Sequence, residues 1–307
     1  MVTLLWFLPI LNTLAQPTVL EVSGDITENT TWTDDTIKVV GDVTVMNNIT
    51  LTINPGTYVE FQGYFRIGVN GYLKAEGLPG DTIVFTVNDT IGATDPEVTT
   101  GKFKGIEFFW GNLNDTSIIS MSHLSYSHRG IIISGTQNVI ISKCHIEKNY
   151  SGMGTIAALY PDCNVIIQDC LIENNVTVAY GGGIRIRQTL NVEITNNIIR
   201  NNHAGSNGGG IYWDDVIGGS ISGNIIKNNT AKTAAGIYCY GEGFEIIEND
   251  IIGNESLNPS YGMGGIMCQN VYNCKIINNS IINNKGATIG GIYCHTSKLE
   301  RSCPISS

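Results

Sequence analysis

The stretch "GGGIYWDDVIGGSISGNIIKNN" (Gly208–Asn229) opens on glycines, carries two apolar pulses and closes on paired asparagines. Nearly the same phrase precedes it as "GGGIRIRQTLNVEITNNIIRNN" (Gly181–Asn202) and follows it as "GGIMCQNVYNCKIINNSIINNK" (Gly264–Lys285). Aligning the Gly-Ile steps gives Ile131, Ile156, Ile184, Ile211, Ile237, Ile266 and Ile292, at spacings of 25 to 29 residues. The second pulse aligns as Ile146, Ile172, Ile199, Ile226, Ile252 and Ile282, at 26 to 30. Two independent columns that keep one period define a repeat architecture.

The unit holds short alternating runs broken by Gly and Asn, and no helical face, which excludes the helical repeats. Three strands of ~5 residues and three turns fill about 26 residues. The pattern therefore predicts an all-β fold, a single-stranded parallel β-helix (a solenoid) with three short strands per rung. Ile recurs because like side chains stack in the core. Asn recurs because its amide both donates and accepts between rungs and tolerates a left-handed backbone. The column Asn174, Asn201, Asn228, Asn254 and Asn284 is the expected asparagine ladder. Gly is expected where a turn needs positive φ.

The rest of the chain is read outward from these repeats. Residues 1–16, "MVTLLWFLPILNTLAQ", form an apolar run ending near the small Ala15, as in a secretory signal peptide, although no Lys or Arg precedes Lys38. The run is short of the roughly 20 residues that span a bilayer. Residues 17–307 are read as one β-helix domain, with irregular rungs over 17–110 and regular rungs over 111–307. The last rung opens with "GGIYCH" (Gly290–His295) but continues "TSKLERSCPISS", which does not complete the pattern, so truncation at the C-terminus is expected. The chain has 307 residues and a net charge of −10, with 17 Lys+Arg against 27 Asp+Glu, which argues against nucleic acid as a partner. An exported, secreted or cell-surface protein is expected, with no transmembrane segment.

Of the eight cysteines, Cys239, Cys268 and Cys294 share a column with Ile133, Ala158, Ile186 and Trp213, and Cys144 and Cys170 share another. Alternation points them inward, where a thiol packs as a small hydrophobe. Cys163, Cys274 and Cys303 fall at turns or ends. No CxxC pair or Cys/His spacing marks a metal site.

The phrases "LTINPGTYVEF", "GYLKAEG", "IVFT", "FKGIEFF" and "IISMSHLSYSHRGI" resemble secreted bacterial right-handed parallel β-helix proteins of the pectin-lyase-like superfamily. That resemblance implies the fold and leaves activity open, since the superfamily includes lyases, glycoside hydrolases, epimerases and adhesins. Polygalacturonase-like hydrolases use Asp-Asp, Gly-His-Gly and Arg-x-Lys elements. Here Asp34-Asp35 and Asp214-Asp215 occur without a Gly-His-Gly. Alginate-epimerase-like enzymes carry Asp-Pro-His, where this chain reads "TDPEV", with Glu97 in place of His. A calcium-dependent lyase would need a carboxylate cluster and a base. Arg185 or Arg187 beside Asp214 approaches that shape, but an ordinary cross-strand ion pair accounts for Arg187 and Asp214. No cofactor is expected otherwise, with Ca2+ reserved for the lyase reading.

On the Gly-Ile strand, residues one and three after each Ile point outward. Down the stack they read Arg185 and Arg187, Tyr212 and Asp214, Tyr238 and Tyr240, Met267 and Gln269, Tyr293 and His295. Rings and hydrogen-bonding groups on a flat strip suit a glycan, whether a polysaccharide or a cell-surface glycan. Tyr is also simply a good exposed strand residue. His123, His128 and His145 receive no role. The leading expectation is a carbohydrate-binding or adhesive module. A polysaccharide lyase on the Arg185/Tyr212 face and a passive spacer are the alternatives.

Overall fold

A computed structural model describes residues 16–295, apart from 96, 112, 113, 136, 162 and 191, together with the backbone of 305–306. Residues 1–15 and Cys303 lie outside the described residues, and so do the signal-peptide reading and most of the last rung. The chain is a parallel β-solenoid with no α-helix among the described residues.

Each regular rung runs through three strands. Ile211–Ile217, Ser220–Ser222 and Ile225–Lys227 are one such set. Each strand pairs in parallel with its counterpart one rung on, so Ile211 sits on Ile237, Ile221 on Ile246 and Ile226 on Ile251. The resulting faces are here the first, second and third sheets, in that order along a rung. The second has eleven strands. The long strands Val19–Ile26 and Thr36–Val45 bend from the third face into the first and join the two as one twenty-stranded sheet. The middle rungs add a two-residue fourth strand, such as Thr230–Ala231, in a five-stranded ribbon. The final strand, Ile305–Ser306, pairs with Ile276 and Ile277 in the second sheet.

Inward side chains fill one continuous core from Trp32 to Ile276. The first-sheet isoleucines, from Ile131 to Ile266, are fully buried and stacked in register as expected. The third-sheet column needs one correction. Ile226 sits on Ile251 and Ile281, not on Ile252 and Ile282, and Ile282 is exposed. Strand alternation turns one of two adjacent isoleucines outward.

The asparagine column is likewise displaced by one residue. Asn174, Asn201 and Asn228 have φ of 55, 55 and 54 degrees and make the bend itself. The following residues, Asn175, Asn202 and Asn229, turn inward and are buried, in line with Asn149, Asn254 and Asn284. Asn202 Nδ2 donates to Asn229 Oδ1 (3.1 Å) and to Ile172 O (3.0 Å), and the pattern repeats at Asn229 onto Asn254. The bend between second and third sheets uses the same device: Asn197, Asn224, Asn249 and Asn279 bond in sequence. Cys144 and Cys170 occupy this second column in the earlier rungs, and Cys170 N donates to Asn197 Oδ1. Cys239 and Cys268 stack with sulfurs 3.2 Å apart, while Cys294 on the same column is exposed. Cys163 and Cys274 face the core.

The glycines divide into two classes. Gly181 and Gly208 have positive φ, at 69 and 70 degrees. Gly210 instead allows close approach of the next rung, since a Cβ there would lie 2.8 Å from Gly236 O. One rung, between Ile67 and Ile106, is longer than the others because residues 88–104 loop out. Buried Lys102 holds that loop, its Nζ donating to Asp95 O and to Val98 O.

Candidate functional site

The outer side of the first sheet carries the predicted strip. Arg185, Tyr212, Tyr238, Met267 and Tyr293 stand in one register, and Arg187 is paired with Asp214. Their exposure differs from the expectation of an open strip. Tyr212, Tyr238 and Met267 are only 7, 7 and 5% exposed. The connections that lead into the first sheet fold over them, and Ala234 and Met263 pack against their rings. Tyr212 and Tyr238 stack on each other, centroids 4.9 Å and planes 9 degrees apart, with Tyr180 against Tyr212 at 4.6 Å. These ring faces are thereby used up within the protein, leaving edges and hydroxyls to the outside.

The polar groups form a connected ridge. Tyr238 Oη donates to Gln269 Oε1 (3.1 Å), and Gln269 is paired in register with His295. Asp214 lies 3.5 Å from Arg187 Nε and accepts a bond from Tyr212. Burial raises the Asp214 carboxyl above its ordinary range, against the opposing pull of Tyr212 and Arg187. Burial, then the Asp214 charge, pushes both Tyr212 and Tyr238 well up, so both remain hydroxyls. Asp214 and Asp215 form a bulge between Trp213 and Val216, which places Asp214 and Tyr240 where the ladder register shifts. Tyr261, Met267, Gln269, Tyr293 and His295 line a shallow cleft of about 130 Å3, with Tyr261 edge-on to Tyr293.

Arg185 stands apart. It is half-buried, its guanidinium 5.4 Å over the Tyr180 ring, with Nη1 donating to Met153 O (3.1 Å). Its Nε is buried without a hydrogen-bond partner, and it makes no ion pair among the described residues. Burial presses its pKa down from the ordinary arginine value.

Sequence reasoning missed a second group on the same face, centred on Glu107, three rungs from Arg185 toward the N-terminus. Glu107, 2% exposed, holds Arg66 Nη1 at 2.8 Å and Arg129 Nη1 at 2.9 Å. Beside them Tyr64 Oη lies 2.7 Å from His128 Nδ1. Burial raises the Tyr64 hydroxyl, and Arg129 opposes this. Tyr64 also lines a cleft of about 360 Å3, walled by Gln62, Asn88 and the 88–102 loop. His128 and Arg129 sit in "SYSHRG" (Ser125–Gly130), and only the fold brings Tyr64 to them.

A stacked parallel core with a polar outer face is the build of right-handed β-helix proteins. The family model of the right-handed β-helix region matches residues 81–212 and 182–303, and the chain belongs to that family. Among solved structures, a periplasmic alginate epimerase, AlgG, is similar at 16% identity and a TM-score of 0.52. The match covers 89% of this chain and 67% of that one. The A-module of the mannuronan C-5 epimerase AlgE4 of Azotobacter vinelandii is matched at 13% identity and a TM-score of 0.32, over 89% of this chain and 90% of that one. Likeness at such identity concerns the fold. No curated protein sequence matches this chain. No helix among the described residues is long and apolar enough to cross a membrane.

Proposed function

We propose that this chain is an exported protein that binds an acidic polysaccharide along the outer face of its first sheet. The observation that carries the proposal is Arg185, a half-buried guanidinium with an unpaired Nε and no carboxylate partner among the described residues. A guanidinium beside tyrosine hydroxyls is suited to a uronate carboxylate, which it can hold by charge-assisted hydrogen bonding. Arg66, Arg129 and Arg187 share the face, although Glu107 and Asp214 offset part of their charge. The tyrosines contribute hydroxyls and edges instead of stacking platforms. The apolar segment 1–16 supports export, and the matched alginate epimerase is described as periplasmic.

A second reading is favoured by the Tyr64–His128 pair. A histidine bonded to a tyrosine hydroxyl, beside an arginine and a cleft, has the parts needed to move a proton α to a carboxylate. In that reading the chain is a polysaccharide lyase or related enzyme. A passive spacer would bind and cleave nothing.

Calorimetric titration with alginate, polygalacturonate and a neutral glucan separates the three. Binding to an acidic chain is expected, weakened about ten- to hundredfold by Arg185→Ala, as for loss of a charge-assisted bond. Failure of the parent to bind any acidic polysaccharide would sink the proposal. Growth of ultraviolet absorbance from unsaturated product, abolished by His128→Ala, would move the assignment to the enzyme.

A further inference from the structure

The outer side of the third sheet carries a cluster that the proposed polysaccharide face does not use. His123 and His145 are register partners on successive rungs, their rings stacked 4.9 Å and 14 degrees apart. Glu147, two residues beyond His145, points the same way. Its Oε1 lies 3.3 Å from His123 Nε2 and its Oε2 3.9 Å from His145 Nε2. One ligand atom from each of the three residues falls within 4.8 Å of the others. His123 Nε2 is buried, and its approach to Glu147 lies outside hydrogen-bond geometry.

We infer that His123, His145 and Glu147 form a binding site for a zinc-class divalent cation that ties two successive rungs together. Two imidazole nitrogens with one carboxylate oxygen are donors that Zn2+ accepts and that Ca2+ and Mg2+ do not favour. Metal–ligand bonds of about 2.0–2.1 Å in a tetrahedron set donors about 3.3 Å apart. Glu147 stands at 3.3 Å from one ring through Oε1 and at 3.9 Å from the other through Oε2, so the two stacked rings would turn toward each other to share one ion.

The surroundings support the same chemistry. Glu173 Oε1 lies 3.0 Å from His145 Nε2, and Arg200 Nε holds the other oxygen of Glu173 at 2.6 Å. Glu173 thus stands as an oriented carboxylate bonded to one of the three ligands, the usual surroundings of a metal-binding histidine. Lys148, 3.3 Å from Glu147 Oε1, is the competing cation, and its exposed chain can swing into water.

Tag-free protein, freed of metal by chelator, would be titrated with zinc chloride and separately with calcium chloride at neutral pH. One Zn2+ per chain, a rise in melting temperature with zinc and no heat with calcium are expected. His145→Ala and Glu147→Gln should lose both the zinc heat and the rise while melting like the parent in chelator. If His145→Ala fails to fold, His123→Gln carries the same test. The inference is overturned if the parent binds no zinc, if it binds calcium in preference, or if folded variants bind zinc as the parent does.

Discussion

At the residue scale the informative unit is the asparagine pair. In "NNIIRNN" (Asn196–Asn202) the first member of each pair takes the left-handed backbone, with φ of 56 degrees at Asn196 and 55 at Asn201. The second turns its amide into the stack. Asn202 donates from its backbone N to Asn229 Oδ1 (3.0 Å), and its own Oδ1 accepts from both the N and the Nδ2 of Asn175. Removing that amide strands several buried groups, each worth about 1–3 kcal/mol. Asn202→Ala should therefore cost about 3 kcal/mol, read as a lowered urea midpoint. Asn201→Ala loses only a left-handed preference and should cost about 1 kcal/mol. Equal midpoints for the two variants would refute the division of labour.

At the element scale, rungs are held by how closely their backbones approach. A Cβ at Gly210 would lie 2.7 Å from Ile226 Cγ2, 2.8 Å from Gly236 O and 3.1 Å from Asn229 Nδ2. Backbone oxygen and a packed core methyl cannot both give way, so Gly210→Ala is an overpacking change of about 1–3 kcal/mol. A Cβ at Gly152 would meet nothing within 4 Å, and its φ is not positive, so Gly152→Ala should stay within about 0.5 kcal/mol of the parent. Thermal melts of the two variants check the contrast, and a parent-like Gly210→Ala would show that neighbouring rungs can separate at little cost. The same closeness explains why glycine recurs at this step: only some of these positions need positive φ, and the others need the missing Cβ.

At the scale of the whole molecule, each rung buries its apolar edge only against its neighbours, so one bad rung in the middle breaks the stack. Ile226 is fully buried in the central column between Ile199 and Ile251. Ile226→Asp places an unpaired charge in a dry core. Loss of soluble folded protein is expected, whereas Ile226→Val should cost only about 0.5–1.5 kcal/mol. A soluble Ile226→Asp variant that melts cooperatively would contradict the column.

The sequence by itself determined the solenoid, because stacking one repeat on the next makes residues about 26 apart neighbours, and like residues at that spacing are visible in one dimension. It also determined the Gly-Ile column, the Cys239–Cys268–Cys294 column and the Arg187–Asp214 pair. Its errors were offsets of one residue, at Asn174, Asn201, Asn228, Ile252 and Ile282. Doublets such as Asn-Asn and Ile-Ile do not state which member turns inward until the bend is seen, although an inward residue two places before the core isoleucine (Asn224 before Ile226, Asn249 before Ile251) carries the signal. Only the tertiary structure decided what covers the outer face. Periodicity places Tyr212 and Tyr238 on the outward side, but connections of irregular length and path pack Ala234 and Met263 against them. It likewise decided that Tyr64 meets His128 across 64 residues. That meeting depends on side-chain direction and on the path of a bend, which no repeat encodes. The convergence of His123, His145 and Glu147 instead follows from His123 and His145 being register partners one rung apart, which the period shows once the Ile146 column is carried back to Leu124.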